Sequence, residues 1–168
     1  MTNYSDYINY FQLLASQHTE IQHSDKQKHF FRTTLEEVLT GIGNKTIRYP
    51  ALLLLPLEIR KQGNIDNRSE KIFGGFLILE ALKDVQNLDK REAILDRTRS
   101  IGEDILLKIE HDVDVCEPYA QKVFYEFDFQ TAVSKEWGPV WDNCYGWSYE
   151  FPITSEYTKT FNPEKWLQ

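Results

Sequence analysis

The sequence predicts an α+β domain: a mainly antiparallel four-stranded sheet packed by helices, in the order α-α-β-β-α-β-β. Three observations carry that expectation. The last third alternates aromatic and polar residues, over Val123–Thr131 and again over Tyr145–Ile153, and a period of two marks extended chain with one buried side. Three earlier stretches instead repeat apolar residues at three- and four-residue steps, the period of an amphipathic helix. Helical and extended runs are segregated and joined by hairpin-length links, which favours antiparallel pairing over a parallel crossover. At 168 residues one domain spanning 1–168 is expected, able to bury about two-thirds of its unfolded surface.

Taken in order, the first helix is expected over Ser5–Ile21, with Ile8, Phe11, Leu14, Ala15 and His18 on one stripe and Ser5 as N-cap. A second is expected from Ser24, where Ser24 and Gln27 have capping-box spacing. Phe31, Thr34, Leu35, Val38 and Ile42 would be its buried face, and Gly41 and Gly43 its stop. The run Ile47–Ile59 reads as a strand, and Ala51–Leu55 is apolar on both faces, so both sides of the sheet should be covered there. Pro50 and Pro56 place this strand at an edge or interrupt it. The polar Lys61–Arg68 stretch is a hairpin loop or arm. A second strand follows over Lys71–Leu82, where Gly74–Gly75 marks a bulge or a close backbone contact.

The third helix is the best-marked element. Asp89 and Glu92 start it, and Ile94, Thr98, Ile101, Ile105 and Ile109 form its stripe, widened by Leu95, Leu106 and Leu107. Two aromatic strands then close the fold. Tyr125, Phe127 and Phe129 share one face of the first, opposite Glu126, Asp128 and Gln130. Tyr145, Trp147, Tyr149, Phe151 and Ile153 share one face of the second, opposite Gly146, Ser148 and Glu150. A C-terminal tail over 154–168 is expected to pack back through Phe161 and Trp166.

The polar N-terminus predicts no signal peptide, and the longest apolar run, Ala51–Leu57, is broken by Pro56, far short of the ~20 residues that span a bilayer. Asn44-Lys45-Thr46 and Asn67-Arg68-Ser69 match the glycosylation pattern, which has no meaning without secretion. Cys116 and Cys144 lack metal-ligand spacing and read as free thiols of a reducing compartment. The net charge is −7, and from Asp114 onward nine acids face four lysines, a balance of −5. That argues against a duplex-gripping surface there, which needs clustered Lys and Arg.

Each candidate for chemistry has a plainer counterpart. Glu126, Asp128 and Glu150, with Glu58, could hold Mg²⁺ in a nuclease-like site, but no basic residue stands close on the same strands, and a solvated or pore-facing sheet surface explains them as well. His111, Asp112, Asp114 and Cys116 could ligate zinc or pair thiol with base. No partner ligand pair exists, and a histidine at a helix C-terminus followed by surface acids is the simpler account. His18, His23 and His29, at helical spacing, do not converge. Gly41–Thr46 lies after a helix and before a strand, the reverse of a phosphate loop. Trp137, Trp141, Trp147 and Trp166 could form a sugar platform, though aromatics at period two more often build a core or interface. No cofactor or metal is expected, and no catalytic motif is present.

The layout of an early helix, a strand pair, a long helix and an aromatic strand pair, over about Phe30–Trp166, resembles the tail terminator (tail completion) proteins of tailed bacteriophages. The closing Tyr145-Gly146-Trp147-Ser148-Tyr149-Glu150-Phe151-Pro152-Ile153 and Phe161-Asn162-Pro163-Glu164-Lys165-Trp166 are similar to the C-terminal strand and tail of such neck proteins. The helix before Ser24 is an addition to that pattern. The resemblance implies a non-enzymatic virion protein, assembled in the host cytoplasm. It would form a ring, typically a hexamer, that caps the tail tube and joins it to the head connector. Its partners would be copies of itself, tail-tube and connector proteins, and DNA that passes without specific binding; no membrane is implied. The family has no catalytic residues to transfer. Gly63, Asn64, Asp66 and Arg68 are the candidate inter-subunit arm, and Glu126, Asp128 and Glu150 the candidate pore-lining acids, since a pore that lets DNA slide must not grip phosphate. The alternatives are a small metal-dependent enzyme acting on nucleic acid, and a monomeric immunity or adaptor domain.

Overall fold

The computed structural model describes residues 3–32, 47–64, 68–124, 126–140, 143–156 and 162–165. Helix α1 spans Tyr4–Gln17, and strands β1 (Phe30–Arg32), β2 (Ala51–Leu54), β3 (Glu58–Gly63) and β4 (Arg68–Ala81) follow. Next come α2 (Leu88–Asp114), α3 (Pro118–Val123), a 3₁₀ turn at Phe129–Thr131, β5 (Val133–Val140), β6 (Cys144–Glu156) and a 3₁₀ turn at Pro163–Lys165. The fold is α+β, but the sheet has six strands, in the order β1-β2-β4-β6-β5 with β3 also on β4. Among the described residues only β1–β2 is parallel, and every other pair is antiparallel.

The sheet is organised on β4 and β6, which pair from Ser69↔Glu156 to Ala81↔Cys144. The β6 alternation is as expected. Tyr149, Phe151 and Ile153 are buried with residues of α1, α2 and α3 in the main core, and Tyr145 packs with Ile94. The expected double-faced burial of the Ala51 run is also observed. Leu52 and Leu54 belong to the helix-side core, whereas Ala51 and Leu53 join Leu77, Leu79 and Cys144 on the opposite face.

Pro56 divides the expected Ile47–Ile59 strand. Segments β2 and β3 both pair with the same edge of β4, with Leu54 opposite Phe76 and Glu58 opposite Phe73. Three residues, Leu55–Leu57, therefore stand opposite only Gly74 and Gly75, a bulge that leaves β4 short of ladder partners. Tyr7 of α1 fills the gap: its hydroxyl accepts from the Gly75 amide at 2.9 Å and donates to the Gly75 carbonyl at 3.1 Å. That carbonyl also accepts from Leu55 N at 2.9 Å. A Cβ at Gly74 would meet the Tyr7 hydroxyl at 2.9 Å, so the glycine is needed for the helix to come this close.

Helix α2 is capped by Asn87, whose side chain accepts from Lys90 N at 3.0 Å. Its stripe of Ile94, Thr98, Ile101, Ile105 and Ile109 is buried as expected, with Gly102 and Asp112 added; Leu107 is exposed. Two side chains of β6 fasten the helix down. Trp147 Nε1 donates to the Leu95 carbonyl at 3.1 Å and Tyr149 Oη to the Arg99 carbonyl at 3.0 Å. Four residues of helix rise about 6 Å and two residues of strand about 6.8 Å, so the two repeats match. Gly102 then lies directly over the Tyr149 ring, where a Cβ has no room.

Two expected elements differ. Ser24–Arg32 does not begin a helix: Ser24 and Gln27 bond each other's backbones in a turn, at 3.0 and 3.2 Å, and Phe30–Arg32 becomes β1. The remainder of that expected helix, with Gly41–Thr46, lies outside the described residues. Nor does Val123–Thr131 form a strand. Glu117 caps α3 by accepting from Tyr119 N and Ala120 N at 2.7 and 2.9 Å, with Pro118 in its first turn. Phe124 is fully buried instead, and Phe127 packs against it and Phe151. The strand that pairs with the last one lies later than expected, as β5, in what reads as a connection. The element order on which the resemblance rests therefore differs in detail. Most of the expected tail, including Phe161 and Trp166, lies outside the described residues.

Candidate functional site

The surface with the clearest capacity to bind another chain is the outer edge of the sheet at β5. Strand β6 pairs with it on one side, from Val133↔Glu150 to Trp137↔Gly146, and among the described residues no strand lies on the other. Val133 is 64 % exposed, and Ser134, Lys135 and Glu136 are also exposed, so neither side-chain face is covered there. An unpaired strand edge presents a row of backbone donors and acceptors, a template for a further strand. This edge also carries devices that restrict such pairing: Lys135 at its centre, Pro139, and a register shift between Trp137 and Val140. Trp137 and Val140 pack against the second apolar cluster, which anchors the far end of the strand.

Alternation along β6 places Glu150 on the face opposite Tyr149 and Phe151, and it is exposed. Glu126 is exposed at a lone bridge position, outside any strand. Asp128 caps the 3₁₀ turn, its Oδ1 accepting from Gln130 N at 3.0 Å. The strand face expected to carry these three acids together is thus not formed, because Glu126 and Asp128 belong to the α3–β5 connection. In the expected arm, Gly63 and Arg68 are the last pair of the β3–β4 hairpin and Asn64 follows in the turn; Asp66 lies outside the described residues.

The remaining candidates are tied into the fold. Asp112 is not a surface acid. It is 3 % exposed, accepts from Tyr10 Oη at 3.0 Å and pairs with Lys108, while the His111 ring lies 3.5 Å away. Burial, reinforced by the Asp112 charge, raises the Tyr10 phenol well above its ordinary value. Asp114 and Cys116 are exposed. Glu58 pairs with Arg60 at 2.6 Å. Trp147 is committed to α2, with Arg99 stacked 5.5 Å from its ring centre; Trp141 and Trp166 lie outside the described residues. Among the described residues no group of three or more His, Cys, Asp or Glu could hold a metal ion, and no helix is long and apolar enough to cross a membrane.

Two sites escaped the sequence. Glu70 is 1 % exposed and pairs with Lys61 across the hairpin, and its Oε2 is buried with no hydrogen-bond partner among the described residues. Toward the other end of β4, Arg97 joins α2 to Glu20 at 2.7 Å and to Glu80 at 3.3 Å, beside an open 400 Å³ cleft that Lys83 and Lys90 also line. The two carboxylates raise the Arg97 guanidinium further above its ordinary value, the Glu20 hydrogen bond most of all. The Arg97 cluster has no sequence signal because it joins residues far apart in the chain, and the Lys61–Glu70 pair depends on the register of the β3–β4 hairpin. Comparison with protein families, with curated proteins and with solved structures finds no match.

Proposed function

We propose that this protein is a structural subunit that works by self-association, as a ring component at the head–tail junction of a tailed phage or phage-like particle. In this role it caps the tail tube and joins it to the connector, and it performs no catalysis. Its partners are copies of itself, tail-tube proteins and connector proteins.

The observation that carries the reading is the outer edge of β5, unpaired among the described residues and exposed on both faces over Val133–Glu136. Its charge pattern also favours one kind of association. In a symmetric antiparallel pairing, the two-fold axis preserves the faces of the sheet, so each residue meets one of its own parity. The register that pairs all of Val133–Trp137 sets Lys135 against Lys135, and of its two neighbours one sets Glu136 against Glu136 and the other Ser134 against Ser134. Like charges directly opposite are destabilising. A two-fold dimer in the registers centred on Lys135 or Glu136 is disfavoured, and a head-to-tail contact, the kind that closes into rings, is not. The β3–β4 hairpin, with β3 on the side of β4 away from β6, is a second candidate contact.

The test is Val133→Lys, which adds a charge to the exposed edge and removes no buried contact. Sedimentation velocity should show loss of the assembly while circular dichroism and unfolding stay unchanged. An assembly that survives the substitution intact would remove β5 from the interface.

A further inference from the structure

We propose that His23 is a proton-operated latch on β1: with its Nδ1 bare it holds the strand's outer edge in place, and binding of a proton there releases it. The geometry is specific. The backbone amides of His29 and Phe30 both donate to His23 Nδ1, at 3.1 and 3.2 Å, and the His23 and Phe30 rings pack at 5.8 Å. The inner side of the same segment is bound to β2. Leu52 N donates to the His29 carbonyl at 2.7 Å, and Arg48 N to the Lys28 carbonyl at 2.9 Å. His29 Nδ1 lies 2.9 Å from the Pro50 carbonyl, which can only accept, so that ring nitrogen carries a hydrogen. The two histidines therefore hold opposite tautomers, one as acceptor toward the outer edge and one as donor toward β2.

A ring nitrogen that carries a proton cannot accept. Protonating His23 Nδ1 leaves two amides, in a segment where His29 and Phe30 are buried, facing a cation. The charged groups around His23 are His29, Lys28 and Asp25. Across the adjoining open groove, α1 contributes only the uncharged Asn9, Gln12, Leu13 and Ser16. Burial first, and then the His29 charge, lower the His23 imidazole below its ordinary value, in keeping with a nitrogen held as an acceptor. A folded-state value below the unfolded one, about 6.5, means that the latch contributes fully above that pH and is lost as pH falls through the folded value. Opening it removes the parallel neighbour of β2 and uncovers a sheet edge under mildly acidic conditions.

The experiment is amide hydrogen exchange by NMR on the full chain, read as protection factors so that the intrinsic pH dependence of exchange is divided out. Protection at His29 and Phe30 should be flat above about pH 6.5 and fall by up to about tenfold per pH unit below it, while amides in the middle of α2 stay constant. His23→Asn keeps an acceptor near the Nδ1 position but does not titrate, and its protection should be flat throughout. Flat wild-type protection down to pH 4.5, or an unchanged fall in His23→Asn, overturns the proposal. Should that variant not fold, the wild-type imidazole ¹⁵N shifts decide: the latch requires a bare Nδ1 at pH 7, and a protonated Nδ1 refutes it.

Discussion

Replacing Tyr7 by Phe tests the bulge on which the sheet is organised. The ring is fully buried and Phe fills the same space, so packing is preserved and only the hydroxyl is lost. The Gly75 carbonyl keeps its bond from Leu55 N. The Gly75 amide donates to the Tyr7 oxygen and, once that oxygen is gone, is left buried and unpaired. A buried donor in that state costs about 1–3 kcal/mol, and a loss of about 2 kcal/mol lowers the melting temperature of a chain this long by about 4–8 °C. Urea unfolding with an unchanged slope is the assay, with Tyr4→Phe as control because Tyr4 is exposed. Exchange of the Gly75 amide should rise in parallel. A Tyr7→Phe variant within about 0.5 kcal/mol of wild type, the range of ordinary surface changes, would refute the claim that the phenol completes the broken edge of β4.

Gly102→Ala should cost about 1–3 kcal/mol or more by overpacking, because the new methyl meets the Tyr149 ring; thermal unfolding measures it, and a neutral effect would mean that α2 is not clamped there. For the Tyr10–Asp112 bond, a double-mutant cycle of Tyr10→Phe and Asp112→Ala should give a coupling of about 1.5–3 kcal/mol, as for a hydrogen bond to a charged group. Additivity would show the two side chains to be independent.

The sequence was informative where large apolar residues mark one face at a fixed period. Helix α2 buries one face, and β6 sets its large aromatics toward the helices although Cys144 and Ser148 are buried on the other face. Both periods therefore survive in the sequence, and most of the core residues were named, Leu107 excepted. Strand β5 is exposed on both faces, which leaves no period, and its Gly138–Pro139 reads as a connection. Val123–Thr131 misled for the opposite reason. Its aromatics alternate, but Phe124 enters the core from the end of a short helix, and the start signal for that helix, Glu117–Pro118, stands before the alternation. In the same way the Ser24/Gln27 spacing fits a closed turn as well as a helix start, and what decides is the pairing of the following residues with β2, a contact across twenty residues. The bulge shows a part that was legible: Pro56 and Gly74–Gly75 foretold an interruption and a close approach. That the close approach would come from Tyr7 was not, because the hydroxyl belongs to a helix 68 residues earlier. Among the candidate site residues, Glu126 and Asp128 stand exposed in the α3–β5 connection rather than on a strand, and Asp112 is buried because its position on α2 faces inward.

The most direct test of the assembly reading is the molar mass of the purified protein by light scattering across a concentration series, with negative-stain images of any large species. The account predicts a closed ring of about six subunits, with no stable two-fold dimer on the way. A monomer at every concentration, or a dimer that stops at two copies, would contradict it.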